Sequence, residues 1–325
     1  MSDAATGGEP TMRYMRGALY GLAAVSIWSG WIVVARLGLR TSLTPWDIAA
    51  LRFGVAGTLL LPYVLIKGFA LERLGGAGLA AIVFGGAAPV LLANSGLLFA
   101  SAAHAGALFP GVMPLMVALL AAAFLGETFT KAKKIGFALI LPGVLTIVWG
   151  SNGEIGSSAN VGDLLFLGSG LAWAFYTIAM RRARLGGLHA AAISAVGAML
   201  LYLPVFPLTT GTTLVNAPWS DIALQGFVQG VLTAIISLIL YGRAVSILGA
   251  SSGAAFAALS PAMTALLGIP ILSEWPNGIE WVAIIMISAG VYVVSGGPLP
   301  RWRGGRQRGR IDDPDMTRAC RTNPG

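Results

Sequence analysis

The side chains of this 325-residue chain that could do chemistry are few, and their spacing excludes most kinds of it. There are two histidines, His104 and His189, neither with a carboxylate at metal-ligand spacing, and one cysteine, Cys320, near the C-terminus. A single thiol makes neither an intrachain disulfide nor a thiolate zinc site. The chain has no Gly-x-Ser-x-Gly elbow, no P-loop lysine and no dinucleotide fingerprint. No enzyme constellation, metal or cofactor is expected. What remains is recognition chemistry inside apolar runs. Arg52 offers a guanidinium that pairs with carboxylate or phosphate. Trp28 and Trp173 offer ring faces for an apolar or aromatic group, and Asn94, Tyr176, Tyr241 and Ser260 offer polar tips. Each has a plainer alternative. Arg52, about 8 Å into its helix, either anchors a substrate carboxylate or phosphate, or snorkels outward or pairs with Asp47. The tryptophans either face a cavity or pack against lipid and neighbours; the polar tips either line that cavity or bond the next helix.

The elements that hold these residues must be membrane helices. Hydrophobic residues make up 56% of the chain, charged ones 10%, and the mean hydropathy is +0.78, too little polar surface for a body facing water. Apolar runs long enough to cross a bilayer recur between short polar breaks. Ten are expected, at 17–37, 47–66, 78–99, 103–125, 135–149, 163–180, 190–208, 222–241, 252–272 and 280–294. Barrel strands would alternate apolar and polar residues, and runs such as 115–125 do not. The first span is longer than a signal-peptide core and is read as retained. Of the 21 Lys and Arg residues, Arg36 and Arg40 fall in the first external loop and Arg52 inside a span; all the others lie on one side if both termini are cytoplasmic. The net charge of +8 and the arginine-rich tail 301–310 thus read as a positive-inside anchor at a lipid surface, not as a nucleic-acid module.

The spans come in two copies. Pro114, Glu127 and Gly143 recur as Pro261, Glu274 and Gly290, each displaced by the same 147 residues. Trp28 with Arg36 recurs as Trp173 with Arg181, and Leu61-Pro62 as Leu203-Pro204. Five helices per copy is odd, so the second copy enters the bilayer from the opposite side, the inverted-repeat architecture of secondary transporters. The expected segments are a cytoplasmic tail 1–16, a first repeat 17–150, an external linker 151–162, a second repeat 163–296 and a disordered basic tail 297–325. Pro114 and Pro261 are expected mid-helix, freeing the carbonyls of Pro110 and Ala257 beside the pathway or kinking the bundle. Glu127 and Glu274 fall at helix junctions, to cap the fifth and tenth helices or to act as gates. The Gly17/Gly21 and Gly226/Gly230 pairs serve close helix packing. No span carries a carboxylate near its centre, which disfavours a cationic-drug antiporter.

Two stretches carry a family likeness: Ala-Ala-His-Ala-Gly-Ala with Pro114 and Gly126-Glu127, and Ser-Ser-Gly-Ala-Ala with Pro261 and Ser273-Glu274, together with Leu51-Arg52-Phe53. On these the sequence resembles the EamA-type family of the drug/metabolite transporter superfamily over about 280 residues. The resemblance implies a ten-helix inner-membrane transporter, often an exporter of amino acids or other small metabolites. The expectation is therefore an all-α membrane protein, a secondary transporter working by alternating access, with a small metabolite and the lipid bilayer as partners, as monomer or homodimer. A nucleotide-sugar or other anionic-metabolite carrier is the alternative within transport, and a non-transporting membrane scaffold or receptor the alternative outside it. Ser273, in place of the first copy's Gly126, and Trp275-Pro276 after Glu274 depart from the family pattern at the second junction.

Overall fold

The computed structural model describes residues 8–150, 158–209, 213–249 and 255–295. The expected linker core and the basic tail lie outside these residues. Among the described residues the fold is all helical. The first half contains α1 (Gly8–Leu39), α2 (Pro45–Lys67), α3 (Leu71–Gly96), α4 (Ala102–Leu108), α5 (Met113–Leu125) and α6 (Lys131–Gly150). The second contains α7 (Ser158–Arg182), α8 (Gly187–Thr209), α9 (Trp219–Gln225), a π-helical segment (Gly226–Ile236), α10 (Ser237–Leu248), α11 (Ser260–Leu272) and α12 (Gly278–Val294). Among the described residues nine spans are long and apolar enough to cross a membrane, and α12 is a shorter apolar helix beside them. Helix α1 starts at Gly8, within the stretch 1–16 expected to be a tail ahead of the first span, and α3 starts at Leu71 with a break at Gly75 (φ 61°). Helical hydrogen bonding is satisfied within the segment, so it continues past the apolar limits that hydropathy marks.

Local signals set the ends. Thr44 and Asp47 form a capping box at α2, with Pro45 in its first turn, and Asn277 and Glu280 form another at α12. Helices α5 and α11 both end in a left-handed residue, Gly126 (φ 69°) and Ser273 (φ 56°). The next amides close the same long bond in each copy, Glu127 N–H to Ala121 O and Glu274 N–H to Gly268 O, both 3.3 Å. The departure from the family pattern thus keeps the backbone: a serine occupies the conformation that glycine takes in the first copy.

The two halves are interleaved. Helix α1 packs on α10 and α11, as α7 packs on α3 and α5; α2 packs on the π-helical segment as α8 packs on α3. The pairs α2 with α8 and α6 with α12 map onto themselves when the halves are exchanged, and α4 also packs on α11. Close approach fixes these contacts. A Cβ on Gly136 would stand 2.7 Å from Gly290 O, and one on Gly143 would stand 3.0 Å from Ala283 O, the related contact. Val55 fills the hollow over Gly230, and in the other copy Val83 fills the hollow over Gly197. Gly17 faces Ile247 and Leu248, and Gly21 faces Phe256, so the glycine pairs serve packing within this chain.

The expectation for Pro114 and Pro261 needs correction. Neither lies inside a continuous helix. The fourth span is broken between Leu108 and Met113, the ninth turns just before Ser260, and each proline sits in the first turn of the helix that restarts. A first-turn residue has no N–H partner to lose, so proline ends one helix and starts the next without a kink.

Candidate functional site

Call the end where α1 finishes the far end, and the end where it begins the near end. Polar side chains along the middle of α1 meet both of its neighbours from the second half. Toward α9, the π-helical segment and α10, Gln225 Nε2 donates to Val34 O (2.6 Å) and Gln229 Nε2 donates to Trp31 O and Gln225 Oε1 (both 3.3 Å). One step nearer the middle, Trp28 Nε1 donates to Ser237 Oγ (2.9 Å), and its ring lies 5.0 Å from that of Tyr241. Toward α11, Ser29 Oγ donates to Ser260 O (3.2 Å), which also accepts from Thr264 Oγ1 (2.8 Å). Gln225, Gln229, Ser237, Ser29, Ser260 and Thr264 are all buried. The widened π-turn lets Thr233 Oγ1 bond Val228 O (2.7 Å), five residues back. π-helical turns of this kind concentrate at functional sites.

Arg52 joins this seam. Its Nη1 donates to Gln229 Oε1 at 3.3 Å and its guanidinium lies 5.4 Å from the centre of the Trp31 ring. The other neighbour of Trp31 is Phe109, edge-on at 6.2 Å, in the break between α4 and α5. Trp31 is therefore the hub between an intramembrane cation and a discontinuous helix. Among the described residues Arg52 makes no ion pair; Asp47 instead bonds Thr44 and the Thr213 hydroxyl (2.6 Å). Five of the other expected residues divide into two groups. Trp28, Tyr241 and Ser260 stand on the α1 seam with Arg52. Trp173 and Tyr176, with rings 5.1 Å apart, pack in the related position against α3 and α8, where Ser194 replaces Arg52 and the contacts are with Gly85, Gly86 and Val83. Asn94, also expected here, is fully buried and donates to Pro45 O (3.5 Å), holding α3 to the start of α2. The two related surfaces are thus unequal: one polar and cationic, the other largely apolar.

Glu127 and Glu274 do not cap α6 and α12, where Thr130 and Asn277 meet the first-turn amides. Each instead crosses to the other half. At the far end Glu274 Oε1 takes Arg36 Nε (3.0 Å) and Arg40 Nη2 (2.5 Å), while Oε2 takes the Ala102 amide (2.8 Å). At the near end Glu127 bonds Arg181 and lies 3.6 Å from Lys133 Nζ. Arg36 and Arg181 are the repeat-related pair, so the two clusters are copies of one clamp at opposite ends. The far clamp is the drier, with Glu274 14% exposed against 33% for Glu127. The Arg181 guanidinium holds the Glu127 carboxyl below the usual carboxylate range, with Lys133 adding to it.

Residues 15–149 and 160–296 each match the EamA-like transporter family. The chain belongs to that family. As an EamA-like protein it is a multi-pass membrane transporter built from two five-helix repeats. It is 27% identical over 290 residues to the uncharacterized inner membrane transporter YedA of Escherichia coli strain K12, covering 86% of this chain and 90% of that protein. It is 25% identical over 270 residues to the uncharacterized transporter YyaM of Bacillus subtilis strain 168, covering 78% and 85%. A probable terminal-alkyne amino-acid exporter of Streptantibioticus cattleyicolor is 29% identical over 214 residues, 64% of this chain and 69% of that one. A solved crystal structure superposes with a TM-score of 0.57 at 20% identity, covering 85% of this chain and 95% of its own, and so shares the fold.

The sequence reading missed Trp31, Ser29, Gln225, Gln229, Ser237 and Thr264. A signal for some was present, since Gln225, Gln229, Thr233 and Ser237 recur every four residues in an apolar run and so mark one helix face. It missed His104, Asp163 and Glu280 as a group because 59 and 176 residues separate His104 from its partners.

Proposed function

We propose that this EamA-like transporter exports a small carboxylate-bearing metabolite, an amino acid or a close relative, with Arg52, Trp31 and Gln229 forming the subsite for its anionic end. The observation that carries this is Arg52: a guanidinium inside a span, steadied by a neutral amide and an aromatic face, with no described carboxylate neutralising it. A cation left in that state inside a membrane is costly unless a substrate anion completes it. The neighbouring hydroxyls of Ser29 and Ser260 and the rings of Trp28 and Tyr241 supply polar and apolar contacts for the rest of a small zwitterion. One distantly similar protein carries the name of a probable amino-acid exporter, which agrees in substrate class and direction. A lone arginine fits a carboxylate better than a nucleotide diphosphate, which calls for several cations.

In this reading the near end, with the termini, faces the cytoplasm of an inner membrane, and the Glu274 and Glu127 clamps close the external and cytoplasmic ends in turn. The breaks before Pro114 and Pro261 let the outer part of each fourth helix move against its inner part. The test is flux in proteoliposomes across a panel of amino acids and their decarboxylated amines. Arg52→Ala is expected to lower carboxylate flux at least about tenfold, equivalent to ~1.4 kcal/mol, with little loss of folded yield. Equal loss of yield and flux, or equal loss for amines and acids, would refute the assignment.

A further inference from the structure

At the far end, the imidazole of His104 on α4 lies between two carboxylates. Nδ1 stands 2.8 Å from Asp163 Oδ1 on α7, and Nε2 stands 3.0 Å from Glu280 Oε1 on α12. His104 is 3% exposed and Asp163 is fully buried. A neutral imidazole has one N–H, whereas ionised carboxylates only accept, so the two contacts together require one more proton than a neutral histidine between two anions carries. The second Asp163 oxygen, Oδ2, is buried with no hydrogen-bond partner among the described residues, so the cluster still holds an excess of acceptors. Without the extra proton, a nitrogen lone pair would face a carboxylate oxygen in a site that water does not screen.

The proton joins three helices across the two halves, and α4, with seven residues, is the shortest of them. It is cut from α5 by the turn at 109–112, and its first amide, on Ala102, is the one gripped by Glu274. We infer that His104, Asp163 and Glu280 form a proton-binding latch that holds α4 closed at the external end and releases it when the proton leaves to the external water. The described charged groups around it are accounted for by element. Asp163 comes from α7 and Glu280 from α12, the latter's Oε2 accepting from the Asn277 amide (2.7 Å). Glu274, before α12, holds the Ala102 amide together with Arg36 and Arg40 of α1. Helix α11 presents Ser260 and Thr264, which are uncharged, and the lysines of α6 begin that helix at the near end. Among the described residues the sole cation facing the two carboxylates is thus the imidazolium itself.

The inference rests on the transporter reading for which end is external, and its test needs no substrate. In a Cys320→Ser background, Ala105→Cys, on α4 and 1% exposed, is labelled in proteoliposomes with a membrane-impermeant maleimide. Its rate is divided by that of the exposed loop variant Val215→Cys at the same pH, which removes the titration common to both thiols, and comparison with His104→Gln in the same background removes the part peculiar to position 105. The ratio is expected to rise about tenfold between about pH 6 and about pH 9, and to lose that dependence in His104→Gln. Glu280→Gln, on the outer partner, is the second variant, since its amide still bonds the ring; it is expected to blunt the rise. A ratio flat in the parent, or a rise unchanged in both folded variants, would overturn the latch. Normal pH-dependent labelling with no flux of any substrate would instead defeat the transporter reading alone.

Discussion

Exchanging Glu274 for glutamine tests whether the two clamps are unequal. The carboxylate serves three donors: Arg36 Nε and Arg40 Nη2 on one oxygen, the Ala102 amide on the other. A glutamine keeps the shape but replaces one oxygen with an NH2, so in either orientation a donor faces a donor. With its oxygen kept toward the arginines, the Ala102 N–H is opposed, which costs about 1–3 kcal/mol, and the loss of charge assistance adds roughly 1 kcal/mol. Arg40 is 41% exposed, so water screens its share. The expected loss is ~3 kcal/mol. Glu127→Gln acts on an exposed carboxylate with a second partner 3.6 Å away, and is expected to cost under ~1 kcal/mol. Double-mutant cycles of Glu274 with Arg36 and of Glu127 with Arg181, followed by reversible unfolding in mixed detergent micelles, give the two coupling energies. The Glu274 pair should couple by at least ~1 kcal/mol and the Glu127 pair by less than half of that. Equal couplings, or the reverse order, would refute the argument from burial.

Three further outcomes follow from local geometry. Ser273→Gly relieves a left-handed serine and should stabilise the protein by about 1 kcal/mol, whereas Gly126→Ala, with open space around the added methyl, should cost about the same; melting in detergent checks both. Gly136→Ala drives a methyl into Val294 and to 2.7 Å from Gly290 O, so α6 and α12 must part at a cost of about 1–3 kcal/mol, read as a lower melting point. The Glu127 carboxyl titrates lower when folded than unfolded. Its stabilising share is thus fully present at neutral pH and is lost as pH falls below about 4. The gap in melting point between the parent and Glu127→Gln should close in that acid range and stay constant above about pH 5.

Much of the architecture is written along the chain. Apolar runs without alternation dictate helices in lipid, because each backbone bond must close within its own segment, and that condition is local. The duplication is equally plain, since Pro114, Glu127 and Gly143 keep their spacing at Pro261, Glu274 and Gly290. Arg52 stands out for the same local reason, a charge where hydrocarbon should be. Partners across the halves are another matter. Glu274 looks like a cap when only its neighbours in sequence are known, yet it meets Arg36 and Arg40 more than 230 residues away. His104 looks unremarkable beside Ala103 and Ala105, and becomes a charged hub once α7 and α12 bring Asp163 and Glu280 to its ring. The unequal seams on α1 and α7 are likewise invisible in a repeat whose tryptophans match. Periodicity reports which face of a helix is buried, but what that face meets depends on how the interleaved halves pack, and only the folded bundle decides it.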